Sequence, residues 1–443
     1  MKLFKDIFPS NRLYAIAGGL VFLLIIGYGF PAIAEVAKLA VVATGGVCVL
    51  ETLILFLPGA TIDARRIVAE KLSNGDENQV TLELENRYHV GVSLTVIDEL
   101  PAQFQIRDLQ FHITIPARKG TALSYSLRPV QRGEYEFGQI VVYATSTIGL
   151  VLRRIRIGAP QVTRVYPAFL QMRRFELLAI SNQLTLAGLK KIRRLGHTME
   201  FEHIREYVVG DDYRTVNWKA TARRNEFMVN QHQDERSQQI FSIIDMGRVM
   251  KMPFGGMSLL DYAINSTLVI SNIALKKGDR VGLLTLTKTI NAQIPAERKG
   301  SQLSKIMEVL YNQQTNFQES NFELLFAAIR RRITQRSLLL LFTNFESLTS
   351  LHRQLPYLQQ IAANHLLVVI FFQNTELWGI QREKATDVES VYVQTIAEKF
   401  SFEKKQIVRV LRQHGIHAVL TAPEDLSVNT INKYLELKAR GMI

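Results

Sequence analysis

A chain of 443 residues is long enough for two or three domains, each with its own buried core. Its one cysteine, Cys48, excludes an intramolecular disulfide framework and suits a reducing compartment for the soluble part. The net charge of +13 invites an anionic partner, yet only Lys190, Lys191, Arg193 and Arg194 form a dense cluster. No aromatics interleave with those bases as a stacking platform needs, so the cluster reads as a solvated loop or helix end; acidic lipid headgroups and nucleic acid are the alternatives, and nucleic acid is not expected.

Leu13 to Phe30 is an uncharged run of 18 residues, and Leu39 to Leu57 is a run of 19 with Glu51 as its only charge. Both are long enough to cross a bilayer. A cleaved signal peptide is the rival for the first run, but a second so soon after favours a transmembrane helical hairpin over residues 1–60. Lys2, Lys5 and Arg12 precede the first span and Arg65, Arg66 and Lys71 follow the second, whereas the link around Pro31 holds Lys38, partly offset by Glu35. Both termini and the soluble domains are therefore expected in the cytoplasm. Glu51 is read as approaching the interface near Pro58-Gly59, not as a functional carboxylate.

Residues 61–165 change to short alternating runs: 80–84, 92–96, 111–115, 122–127 and 140–143, with Arg132 to Gly138 as a turn into the last strands. Period two with turns at this spacing predicts a small antiparallel β-sandwich, a spacer or interaction domain. Residues 166–238 hold a connecting helix, 172–191, and a segment dense in charge and aromatics. There Phe201, Ile204 and Val208 predict a short helix that Gly210 stops, and Asp211 and Asp212 can cap a second helix through Trp218 and Ala222. Six acids against five bases over 200–226 predict mutual pairing, with Arg205, Arg214 and Arg223 held to Glu206, Asp211 or Asp212. Trp218 is expected in the core, and His197 and His203 as ordinary histidines.

From 239 to 443 near-continuous apolar runs, 240–244, 281–286, 338–342, 366–372 and 416–420, alternate with helical patterns over 259–275, 301–311, 321–332, 348–363 and 388–413. Strands covered on both faces look like this, and the alternation predicts a doubly wound α/β domain. Ligands in such sheets bind outside the carboxyl ends of strands, where Asp245, Thr343 and Asn344 fall. No phosphate-binding loop and no nucleophile elbow is present, and no cofactor is implied.

The run Phe201-Glu202, Arg205-Glu206-Tyr207, Gly210-Asp211-Asp212-Tyr213-Arg214, Asn217-Trp218-Lys219-Ala220-Thr221-Ala222-Arg223, followed by an apolar strand ending at Asp245, resembles the signature of the bacterial "domain of unknown function 58" family. The resemblance implies a von Willebrand factor A-like fold anchored in the bacterial inner membrane, a MoxR-type AAA+ ATPase as partner, and no established enzymatic activity. A von Willebrand A domain places a metal-binding Asp-x-Ser-x-Ser after its first strand and a Thr-Asp-Gly later. Here Asp245, Gly247 and Val249 stand in the first motif and Thr343-Asn344-Phe345 in the second, so both serines and one carboxylate are gone and no metal is expected. Asp245, Gly247, Arg248, Thr343 and Asn344 are instead expected to form a partner-binding rim, Arg248 bonding a partner carboxylate. The expected function is that of a membrane-anchored, non-enzymatic adaptor; the alternatives are a metal-dependent enzyme using Asp211, Asp212 and Asp245, or a nucleic-acid-binding protein.

Overall fold

The switch from alternating to continuous apolar patterns marks a division of the chain. The computed structural model describes residues 6–180, 199–208, 213, 216–234, 237–315, 318–377 and 387–443, in two compact units, Met1–Tyr166 and Pro167–Ile443.

In the first unit β1 (Ile7–Pro9) leads into α1 (Asn11–Gly27), whose first turn is capped by the Ser10 hydroxyl accepting from the Leu13 amide at 3.2 Å. α2 (Pro31–Leu55) opens on a proline, which has no N–H to leave unpaired in a first turn. Only Tyr28, Gly29 and Phe30 lie between the helices, so the second apolar helix begins eight residues before the expected span at Leu39, and Glu35 and Lys38 pair across its first turns at 2.8 Å instead of lying in a link. At Gly27 the helices approach so closely that a Cβ would sit 2.9 Å from the Ala34 backbone. α2 is long and apolar enough to cross a membrane; α1 is apolar but shorter.

The far end of α2 corrects the reading of Glu51. Its carboxylate is wholly buried and accepts from the Ser146 hydroxyl (2.6 Å) and the backbone amides of Gly149, Leu150 and Val151 (3.0, 2.9 and 3.0 Å). It is a peg that fixes the helix end to a turn of the following domain.

That domain is sandwich-like and built from β2 (Ile62–Ile67), β3 (Lys71–Ser73), β4 (Asn78–Asn86), β5 (Val92–Asp98), β6 (Gln110–Ile115), β7 (Gly120–Leu127), β8 (Gly133–Phe137), β9 (Ile140–Thr145), β10 (Val151–Ile157) and β11 (Gln161–Tyr166). Three sheets form, in the orders β1-β10-β9-β5-β6, β2-β4-β7 and β3-β11-β8. Alternate residues turn inward, so Leu82 and Leu84 of β4 meet Leu94 and Val96 of β5 and Val142 of β9 in one core. The stretch read as a turn at Arg132 to Gly138 contains β8, antiparallel to β11. A buried Arg66–Asp98 ion pair, which also takes the Tyr125 hydroxyl, stabilises the interior; burial and then the Asp98 charge push the Tyr125 phenol up.

The second unit opens with α3 (Phe169–Ile180) and a β-ribbon of β12 (Met199–Glu206) and β13 (Met228–Asp234), with α4 (Trp218–Arg224) between them in sequence. Then follow β14 (Gln239–Asp245), β15 (Pro253–Phe254), β16 (Met257–Ser258), α5 (Leu259–Lys276), β17 (Arg280–Leu286), β18 (Ile290–Glu297), α6 (Gln302–Tyr311), α7 (Phe322–Arg332), β19 (Leu338–Phe342), α8 (Leu348–Asn364), β20 (Leu366–Phe372), α9 (Val388–Gln413), β21 (His417–Thr421) and α10 (Leu426–Ala439). The large sheet has the order β18-β17-β14-β19-β20-β21, all parallel except β18. Even-numbered side chains of its central strands, such as Ile244, Leu340 and Ile370, pack with α5, α6 and α10; odd-numbered ones, such as Ile243, Leu341 and Val369, pack with α7, α8 and α9. Both faces being covered is why these strands read as unbroken apolar runs.

Segment 201–208 is a correction: β12 pairs with β13 where a helix was expected. The connecting helix is described over Phe169–Ile180; the rest of the expected 172–191 helix, the Lys190 to Arg194 cluster and His197 lie outside the described residues.

Candidate functional site

β14, the first strand of the parallel sheet, ends on Asp245, and β19 beside it ends one residue before Thr343. A parallel neighbour in register brings their carboxyl ends to one place. Asp245 is 1 % exposed there. Oδ1 accepts from the Gly247 amide (2.8 Å) and the Ser320 hydroxyl, and Oδ2 accepts from Thr343 Oγ1 (2.6 Å). Burial pushes its carboxyl above the ordinary aspartate value, against the pull of those three donors.

The next residue, Asn344, is held by a cation from within the chain. Lys404 of α9 donates to Asn344 Oδ1 and to the Phe345 carbonyl, both at 2.6 Å, and its ammonium lies 5.8 Å from the Phe371 ring centroid. Burial lowers its pKa to about 8, opposed by the charge of Glu346. Glu346 in turn pairs with Arg248 at 3.4 Å, each about half exposed.

Of the five expected rim residues, Asp245, Gly247, Thr343 and Asn344 are therefore buried, and a partner cannot touch them without opening the domain. Arg248 alone is exposed, and it already has an in-chain carboxylate. Ser320, Lys404 and Glu346 were missed. Ser320 sits beside the Asn321 cap of α7 and Lys404 is an ordinary lysine inside a helical pattern, so neither carries a local signal that it aims at Asp245 or Asn344.

The oxygens gathered here are committed to one another. Both carboxylate oxygens of Asp245 already accept from Ser320, Thr343 and the Gly247 amide, so a divalent ion, even one that brings its own waters, would have to displace those bonds. A side chain at Gly247, where the von Willebrand A motif has a serine, would place its Cβ 2.5 Å from Ser320 Oγ and 3.1 Å from Asp245 Oδ1. Among the described residues no group of three or more His, Cys, Asp or Glu could hold a metal.

The signature segment is the other candidate. Asn217 caps α4, its Oδ1 accepting from the Ala220 amide (3.0 Å) and its Nδ2 donating to Asn230 Oδ1 (2.7 Å); Thr221 Oγ1 accepts from the Met228 amide (3.0 Å). These two residues bind α4 to β13. Arg205 donates to the Glu206 carbonyl, and both belong to β12 with Glu202. Lys219 and Arg223 are exposed on α4. Trp218, expected in the core, is 68 % exposed and packs edge-on to Phe227, which also meets Tyr207. Gly210, Asp211, Asp212 and Arg214 lie outside the described residues.

Residues 203–399 match the family model "Protein of unknown function DUF58". That segment, 203–399, is a DUF58 domain. A relative in sequence is the "Uncharacterized protein YeaD" of Bacillus subtilis (strain 168), 25 % identical over 234 residues, which are 52 % of this chain and 56 % of that one. The match thus spans about half the length of that relative. Among solved structures, the conserved hypothetical protein BatB from Bacteroides thetaiotaomicron aligns over 46 % of this chain and 100 % of its own, at 11 % identity and a TM-score of 0.31. A CARDB domain from Pyrococcus furiosus aligns over 25 % and 94 %, at 10 % identity and a TM-score of 0.18.

Proposed function

We propose that this DUF58 protein is a membrane-anchored, non-enzymatic adaptor. Two apolar helices hold it in the bacterial inner membrane with its soluble domains in the cytoplasm, and a von Willebrand A-like, doubly wound domain engages a MoxR-type AAA+ ATPase in a chaperone-like assembly role. The partner comes from the resemblance carried by the signature segment. The observation that supports an adaptor best is the state of Asp245: the one acid on which a described parallel strand of the large sheet ends is sealed and fully hydrogen-bonded, so it shapes the rim and is not offered to a ligand. Contact then falls to the exposed Arg248–Glu346 pair, which can exchange its internal bond for a partner's charges.

Crosslinking in native membranes, followed by identification of what is captured, tests this. The parent should recover a AAA+ ATPase, and Arg248→Glu should recover at least fivefold less while melting like the parent. Equal recovery from both sinks the role of the rim. Tight magnesium uptake in titration calorimetry would instead support the metal-dependent enzyme built on Asp211, Asp212 and Asp245.

A further inference from the structure

We propose that the first unit binds the phosphate of an anionic, glycerol-headed membrane lipid where α1 begins, with Arg12 as the cation; the inference rests on the membrane-anchored reading above. A hollow of about 400 Å³ opens there, lined by Asn11, Arg12, Ser93, Thr145 and Thr147 and floored by the turn at Gly149. Among the described residues Arg12 is the one ionisable side chain on its lining. The guanidinium lies across Gly149, where a Cβ would sit 2.9 Å from Nη1, and among the described residues it makes no hydrogen bond or ion pair.

The nearby acid does not claim it. Glu51 already accepts four hydrogen bonds, from the Ser146 hydroxyl and three amides of the same turn. Thr145 Oγ1, by contrast, is enclosed and has no partner. Ser10 takes the Leu13 and Tyr14 amides, and among the described residues those of Asn11 and Arg12, at the positive end of a 17-residue helix, have no acceptor. Among the described residues, a guanidinium without a hydrogen bond or ion pair, several hydroxyls and no carboxylate on the lining are what a phosphodiester carrying a polyol requires.

The lipid, and not free phosphate, is favoured by position. The apolar run of α1 starts at Leu13, one residue past Arg12, and Tyr14, Val21 and Phe22 are exposed along the helix as a surface for acyl chains. That is the level of the headgroups.

Full-length protein in detergent would be titrated with short-chain dihexanoyl phosphatidylglycerol, dihexanoyl phosphatidylcholine and inorganic phosphate, reading bound ligand by native mass spectrometry. The parent should retain phosphatidylglycerol at least tenfold better than either of the others. Arg12→Gln and Arg12→Lys should each lose that retention at least fivefold, because a lysine keeps the charge but not the paired donors. Thr147→Asp, an exposed change, does the same by placing a carboxylate on the lining, and keeps the test open if Arg12 variants fail to fold. Parent-like retention by Arg12→Lys reduces the site to general charge attraction and overturns it; equal binding of inorganic phosphate overturns the lipid assignment. Carbonate extraction of parent membranes is scored separately: release of the chain sinks the anchor, whereas a retained chain with no lipid preference sinks only this site.

Discussion

Removing the carboxylate of Asp245 would strand the Gly247 amide and the Ser320 and Thr343 hydroxyls in a dry place. At roughly 1 kcal/mol or more for each buried donor, Asp245→Ala should cost about 3 kcal/mol, and Asp245→Asn, which keeps an acceptor, clearly less. Thermal melts at fixed pH check the order. The raised carboxyl makes a second signature: the folded state holds its proton to higher pH than the unfolded chain does, so this contribution is complete below the ordinary aspartate range and declines as pH rises through the raised value. Lys404 has the opposite sense. Its pKa falls to about 8, so between there and the ordinary lysine value the unfolded chain binds more protons and stability attributable to Lys404 grows with pH. The melting advantage of the parent over Lys404→Met should widen from pH 8 to pH 10; a constant gap would mean the ammonium is not held in a desolvated place.

At the scale of elements, the peg at the end of α2 makes a sharp expectation. Glu51→Ala leaves four donors in the 146–151 turn without an acceptor, and at roughly 1 kcal/mol for each the loss should be about 4 kcal/mol. Hydrogen exchange at Gly149, Leu150 and Val151 should quicken first; protection equal to the parent would show that the turn holds itself. Which elements were legible follows from the same physics. The sheet strands β14, β17, β19, β20 and β21 could be read because cover on both faces leaves no polar face to break the run. β12 could not: its register against β13 slips between Phe201 and His203, which breaks the alternation of two and leaves apolar residues at helix-like spacing. β18 was missed because it is an edge strand with Pro295 inside it and two slips against β17, all permitted where one side needs no partner. The buried end of α2 was hidden for another reason, since the donors to Glu51 lie nearly a hundred residues on and no local pattern foretells them. The same holds for the site, where Asp245 and Thr343 were visible as strand ends but Ser320 and Lys404 arrive from other elements.

For the whole molecule the deciding quantity is where the bases stand relative to the two apolar helices. Lys2, Lys5 and Arg12 precede α1, and Arg65, Arg66 and Lys71 follow α2, while the three residues between the helices carry no charge, Lys38 having moved inside α2 against Glu35. The asymmetry is therefore steeper than the sequence indicated, and the prediction is that the Tyr28-Gly29-Phe30 link is outside and the sandwich inside. In a Cys48→Ala background, Gly29→Cys should react with a membrane-impermeant maleimide in intact spheroplasts, and Glu77→Cys, at an exposed site between β3 and β4, only after permeabilisation. Labelling of both from outside would mean that the helices lie on the membrane or cross it an odd number of times. Labelling of Glu77→Cys alone would reverse the orientation and put the DUF58 domain beyond the reach of any cytoplasmic ATPase.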